Sequence, residues 1–320
     1  MTILNSQAVV GVDVAKNEIV AYRQDSDQSV AIANEGRALK KWLKTLPAGS
    51  SIALEATNIY HLETVELAYS MGHRVFIVDP GKLNKYRDSL GQRAKTDASD
   101  ARLLARYLSK EEDRLRLWSP PPAVYTRLKQ LLHRRAALVR MRVSFKQSWG
   151  SDPSLKKELD ATLASFDTLD QSLQNLMKET LSEAGLTPQI KRCEAIEGVG
   201  FLTATGFLTA FMRGEFENSD AYIAFLGLDL RVRDSGNKHG RRRLTKKGDP
   251  EIRRLGHNAA MTASRSATWK PFYEANLARG KAKTQALVIL TRKLARVAFS
   301  LMKNQTDYIP NSMSGGSPQT

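Results

Sequence analysis

Two apolar runs near the start of the chain each end on a carboxylate. Val9-Val10-Gly11-Val12 runs into Asp13, and Ser51-Ile52-Ala53-Leu54 runs into Glu55. A third stretch, Lys95-Thr96-Asp97-Ala98-Ser99-Asp100-Ala101, reads as the start of a helix with two acids three residues apart, and that spacing puts both on one helix face. Acids at strand ends, joined by an acid pair on a helix, restrict the fold to a small α/β domain that gathers negative charge at one site. Like charges that close repel unless a cation or a proton lies between them. An all-carboxylate donor set suits Mg²⁺ or Mn²⁺ rather than zinc. Two such ions are a known way to stabilise the attacking and leaving oxygens of a phosphodiester displacement. Taken singly, each acid also has an ordinary reading: a strand end, or, for Asp97, a helix cap.

The surrounding pattern supports that domain. Residues 7–13, 17–23 and 27–33 read as three strands in a meander, 36–46 as a helix with Leu39, Trp42, Leu43 and Leu46 at helical spacing, 51–55 as a strand, 61–71 as a helix and 74–78 as a strand. Asp79-Pro80-Gly81 reads as a turn, and a helix follows from about 97 to 108. The order β-β-β-α-β-α-β-α is that of the ribonuclease H fold, RuvC-like. The sugar-kinase and actin fold also begins with a strand and an aspartate, but it wants a glycine-rich phosphate loop next, and Asp13 is followed by Val14-Ala15-Lys16.

Charge separates the two halves of the 320-residue chain. Residues 1–115 carry 16 Lys and Arg against 15 acids, whereas residues 116–320 carry 33 against 18, out of a total net charge of +16. With a pI near 9.9, the second half reads as a grip for a polyanion. The single cysteine, Cys193, excludes an internal disulfide and a cysteine-based zinc site. No signal-peptide pattern and no membrane-spanning apolar run is present, so the expected location is intracellular, in the cytoplasm, with no membrane partner.

Ser119-Pro120-Pro121-Pro122 punctuates the chain. Residues 123–149 then read as one helix, and between 116 and 150 there are eight basic residues and no acid. Arg127, His133, Arg134, Arg135, Arg140 and Lys146 are the candidate phosphate contacts there. From 155 to 180, Leu155, Leu159, Thr162, Phe166, Leu169, Leu173, Leu176 and Thr180 alternate by four and three, a heptad seam. A helix packed on its own domain would show the same pattern, but self-association is the better reading. Ile196-Glu197-Gly198-Val199-Gly200 resembles a helix-hairpin-helix turn, in which Gly198 and Gly200 would expose amides to a phosphate; an ordinary helical turn fits equally. Residues 231–254 hold ten Lys and Arg and three acids, with Arg241, Arg242, Arg243, Lys246 and Lys247 as candidate contacts. Helical patterns follow at 251–266 and 281–303, and the polar tail after Pro310 is expected to be disordered. The domain reading is 1–115 catalytic, 116–187 basic helix and coiled coil, 188–306 a mainly helical C-terminal domain and 307–320 tail. Trp118, Tyr125 and Trp149, interleaved with bases, are candidates for stacking on unpaired nucleotides.

These residues together resemble the DEDD transposases of the IS110 insertion-sequence family, its IS1111 subgroup in particular; the family also includes a pilin-gene invertase. The resemblance is carried by Gly11-Val12-Asp13-Val14-Ala15-Lys16, Leu54-Glu55-Ala56-Thr57, the segment Asn84 to Lys95, Lys95-Thr96-Asp97-Ala98-Ser99-Asp100-Ala101, Ile196 to Gly200, Ala224-Phe225-Leu226-Gly227-Leu228, Asp234-Ser235-Gly236, Lys246-Lys247-Gly248-Asp249 and Arg253. It spans roughly residues 8–305, with Asn58 standing where relatives often carry glycine. It implies a RuvC-like domain, a coiled-coil insertion and a C-terminal transposase domain. By that likeness Asp13, Glu55, Asp97 and Asp100 hold Mg²⁺ or Mn²⁺, and Ser235 attacks a DNA phosphate to form a covalent phosphoserine. It further implies donor and target double-stranded DNA as substrates, a structured noncoding guide RNA as partner, and homodimers joining into a tetramer. Without the resemblance Asp234-Ser235-Gly236 reads as a turn. The competing function is a RuvC-like nuclease for Holliday junctions or branched DNA, hydrolysing with metal-activated water and needing no serine.

Overall fold

The computed structural model describes residues 8–56, 59–91, 96–150, 153–231, 234–235, 238–239 and 242–310, the last two short strands by their backbone alone. The tail from residue 311, expected to be disordered, lies outside the described residues, as do Thr57, Asn58, Lys95, Gly236 and Arg241. The chain divides into two compact units, Met1–Pro120 and Pro121–Thr320.

The first unit is a five-stranded sheet with helices on both faces. In chain order it runs β1 (Val9–Val14), β2 (Glu18–Arg23), β3 (Gln28–Ala33), α1 (Gly36–Leu43), β4 (Ser51–Glu55), α2 (Leu62–Ser70), β5 (Arg74–Val78), α3 (Pro80–Ser89) and α4 (Asp97–Glu111). The strand order is β3-β2-β1-β4-β5. The β1–β2 and β2–β3 pairs are antiparallel, and β1–β4 and β4–β5 are parallel. Side chains alternate between the two faces of a strand. Val10, Val12, Val14, Ile52, Leu54 and Val75 therefore pack with Leu39, Leu43, Val65 and Ala68 of α1 and α2 on one face. Ala53, Phe76 and Val78 pack with Leu83 of α3 and Leu103, Leu104 and Leu108 of α4 on the other.

Helix α3 differs from the sequence expectation, which had only a turn at Asp79-Pro80-Gly81. Asp79 accepts a hydrogen bond from the Lys82 amide at 2.9 Å, and Pro80 occupies the first helical turn. The residues that favour a turn are the same ones that cap and open a helix. Gly11 sets the position of α4. A Cβ at residue 11 would collide with the backbone of Ala101 and Ala105, so only glycine lets the helix lie so close on β1.

The second unit is helical: α5 (Ala123–Trp149), α6 (Lys156–Glu183), α7 (Thr187–Glu194), α8 (Phe201–Met212) and α9 (Ser219–Phe225) come first. Four two-residue strands follow, β6 (Leu230–Arg231), β7 (Asp234–Ser235), β8 (Lys238–His239) and β9 (Arg243–Leu244), and then α10 (Pro250–Ala263), α11 (Lys270–Ala278) and α12 (Lys283–Asn304). The small strands pair as β6–β9 and β7–β8, both antiparallel. Leu128, Leu131 and Leu132 of α5 and Leu173, Met177 and Leu181 of α6 belong to the same core as Phe207, Tyr222, Ile252 and Leu294, so the helix pair and the C-terminal helices share one apolar interior.

Part of the heptad face of α6 packs within its own chain. Helix α6 packs along α5, with Phe166 against Phe145 at 6.2 Å between ring centroids. Leu173, Met177 and Leu181 are its buried positions, whereas Leu169 and Leu176 of the seam stand exposed at 51% and 38%. Arg135–Asp170 at 2.8 Å and Arg142–Asp167 at 3.0 Å tie the two helices together. Among the described residues no helix is long and apolar enough to cross a membrane.

Candidate active site

The register of the parallel strands places the acids. Val9 to Val12 of β1 pair in order with Ser51 to Leu54 of β4, so Asp13 and Glu55 are the next residues on neighbouring strands. Asp13 shares its face with Gly11, and Glu55 shares its face with Ala53. That is the face covered by α4, which carries Asp97 and Asp100 in its first turn. Acids from three separate stretches of the sequence thus come to one end of one sheet face.

Their surroundings differ. Asp100 is 5% exposed and accepts a hydrogen bond from Arg87 Nη2 of α3 at 2.7 Å. Arg87 also donates from Nη1 to Asn84 Oδ1 at 3.1 Å, which fixes the guanidinium plane. Asp97 is exposed and does not cap its own helix; Thr96 does, accepting from the Ser99 amide at 3.2 Å while Ser99 Oγ accepts from the Thr96 amide at 2.9 Å. Asp97 is therefore available for another role. Asp13 and Glu55 are half-buried. Burial, then the charges of Asp100, Asp97 and Glu55, push the Asp13 carboxyl up to about 6. Carboxylates gathered in this way favour a proton or a cation among them. The set fits a hard cation held by carboxylate oxygens. Among the described residues, no three His, Cys, Asp or Glu side chains lie close enough to enclose an ion. The acids share a site without forming a closed cage.

Arg87 was not singled out in the sequence, although it lies in the Asn84–Lys95 segment. Its partner is on another helix, and no fixed spacing announces such a pair. In the second unit, Ser235 lies on β7 opposite Lys238 of β8. Nothing further is described of its side chain. Arg242, Arg243, Lys246 and Lys247 are exposed around the β9 strand and the turn after it. Arg127, Arg134, Arg140 and Lys146 are exposed along α5. Arg135 is the exception, being held by Asp170 with its side chain only 14% exposed. Gly198 has φ +89° and touches the backbone of Ala259 and Ala263, so it serves the contact between its turn and α10. Gly200 caps α8 in extended conformation with open space around it.

Comparison with known proteins finds two matching stretches, the first of which runs through the boundary between the units into the end of α5. Residues 10–150 match the DEDD transposase family of IS110, and residues 190–274 match the transposase family of IS116, IS110 and IS902. The pilin gene-inverting proteins of Moraxella bovis and Moraxella lacunata are each 26% identical to this chain, over 95% of it and 98% of their own length. The transposase for insertion sequence element IS1111A of Coxiella burnetii is 26% identical over 50% of this chain and 45% of its own.

Proposed function

We propose, from the premise that this chain belongs to the IS110 family of transposases, that it cuts and rejoins DNA with a divalent metal held by Asp13, Glu55, Asp97 and Asp100 and with Ser235 as nucleophile. That it is a DNA-rearranging enzyme follows from the family itself. The observation that supports the metal reading is the convergence of the four acids on one end of a sheet face, with the Asp13 carboxyl raised to about 6 by burial and by the other three. The strand order β3-β2-β1-β4-β5, antiparallel then parallel, agrees with a RuvC-like domain.

Bound at the acids, Mg²⁺ or Mn²⁺ would offset charge on the scissile phosphate. The chain's own groups do the rest. Gly11 and the α4 packing hold Asp13 beside Asp100, and Arg87 orients the Asp100 carboxylate. The Ser235 hydroxyl forms a bond to phosphorus while the bond from phosphorus to a sugar oxygen breaks; its proton leaves with that oxygen. Attack by a second sugar hydroxyl reverses the step and reseals the strand, so the phosphodiester energy is conserved. Exposed Arg242, Arg243, Lys246 and Lys247 would carry phosphate charge near the serine.

The basic helical unit would hold donor and target duplexes and a structured guide RNA that pairs with both. Homodimers assembling to a tetramer would bring acids and serines of different copies together. Recombination on a plasmid carrying the element ends tests the scheme. Asp13→Asn should abolish both cleavage and exchange. Ser235→Ala should abolish exchange and the covalent protein–DNA adduct. Metal-dependent hydrolysis that survives in Ser235→Ala with unchanged product would instead favour a water nucleophile and the junction-nuclease reading. Sequencing nucleic acid that co-purifies from cells carrying the flanking noncoding DNA tests the guide, and random fragments alone would exclude it.

A further inference from the structure

We infer that a cavity in the helical unit, between the start of α5, the end of α9 and the start of α10, holds one unpaired nucleotide. Its volume is about 410 Å³, and Tyr125, Lys129, His133, Phe225, Lys247 and Asp249 are among its lining residues. That volume lies within the range of roughly 300–1,000 Å³ usual for small-ligand sites. It admits one flat ring system and excludes a duplex.

The lining combines two features a nucleotide requires. Tyr125 and Phe225 are aromatic walls. Phe225 meets Phe216 edge-on at 5.4 Å and is still 40% exposed, and Lys129 stands 5.8 Å from the centre of the Tyr125 ring. A base stacked there would cover apolar surface that otherwise faces water, and every base has a face to offer. The second feature is positive charge. Asp249 and Glu251 also line the cavity, but both are engaged within the protein. Asp249 meets His133 Nε2 at 2.6 Å and accepts from the Glu251 amide at 2.8 Å. Glu251 is gripped by Arg254 through two contacts, at 2.6 and 2.7 Å. Lys129 and Lys247 line the same cavity, so a phosphate entering it would meet lysine ammonium groups. The other aromatics singled out in the sequence stand in different settings. Trp118 is buried against Tyr69, and Trp149 lies on the exposed end of α5 beside Phe145.

Strand exchange passes through unpaired nucleotides at broken ends, and a pairing guide presents unpaired loops. The cavity would hold such a nucleotide out of the stack. The inference goes beyond the acids and Ser235 and uses neither.

The test uses the full chain and twelve-nucleotide single strands, DNA and RNA, each carrying one 2-aminopurine, with a duplex of the same sequence as control. Binding should quench the 2-aminopurine in at least one of the single strands, and the identity of that strand names the source of the nucleotide. Tyr125→Leu and Phe225→Leu should each weaken that strand about ten-fold, Tyr125→Trp should restore it, and duplex affinity should not move. Absence of quenching in both single strands overturns the inference without any variant. Equal losses for single strand and duplex would also overturn it, because the residues would then be supporting the fold or the general charge. Thermal melting of each variant identifies any that fails to fold, and the quenching result then decides.

Discussion

Between Val9 and Glu111 a sheet presents four acids at one end of one face; from Ala123 onward a helical unit presents exposed bases along a long helix and around the short strand Arg243–Leu244. The two regions place function by different means. In the sheet, position follows from strand register and from one close helix crossing at Gly11, so a residue's neighbours are determined to within one pleat. In the helical unit the basic residues are spread over surfaces, and what matters is their sum. The first arrangement is intolerant of single changes and the second is forgiving.

The largest expected break of that contrast is chemical. Asp100→Asn should lower strand exchange by about 10³-fold or more while leaving DNA affinity within about two-fold, as read by plasmid recombination and filter binding. An equal loss of binding would mean that Asp100 is structural. Next comes Arg87→Met. It leaves the buried Asp100 charge without its partner and should cost about 3 kcal/mol or more of unfolding free energy. Mg²⁺ should recover part of that loss in thermal melts, because the cation replaces the guanidinium charge. No recovery at any Mg²⁺ concentration would argue against a metal at Asp100.

A smaller effect follows from the raised Asp13 carboxyl, at about 6 against an ordinary 3.8. The folded state holds this proton more tightly than the unfolded state. Its contribution to stability is complete below about pH 4 and is lost as pH rises through 6. For a half-exposed group the change is about 1–2 kcal/mol after screening. In metal-free protein, Asp13→Asn should remove that dependence and be the more stable form at pH 7.5, as measured by urea unfolding between pH 4 and 8. The smallest effect belongs to the basic surface. Arg140→Gln should weaken all nucleic acids about equally, by roughly ten-fold at low salt, and reduce the slope of log affinity against log salt by about one. A loss confined to one sequence would mean that Arg140 reads bases.

Much of the sheet was legible because strands carry a period of two and because acids are scarce at the ends of apolar runs. Val9–Val14, Glu18–Arg23 and Arg74–Val78 lie within two residues of their expected places. Helix α5 runs from Ala123 to Trp149, between a proline cluster and a glycine, as its residues predict. Helix α3 was hidden because Asp79-Pro80 is chemically both a turn and a helix start. The seam on α6 was visible as a seam, but its partner within the chain was not: a heptad pattern states that a face is apolar and leaves open what covers it.

The sequence by itself determined the local periodicities and the division of charge between the halves, because each of these is carried by neighbours along the chain; it marked each acid by its place at the end of an apolar run or the start of a helix. Tertiary structure alone decided which groups meet. It put Arg87 against Asp100, removed Arg135 from the basic surface by pairing it with Asp170, and gathered Tyr125, Phe225 and Lys247 around one cavity. Such meetings depend on how far elements travel before they return, and the energy of a contact between two side chains leaves no mark on the spacing of either.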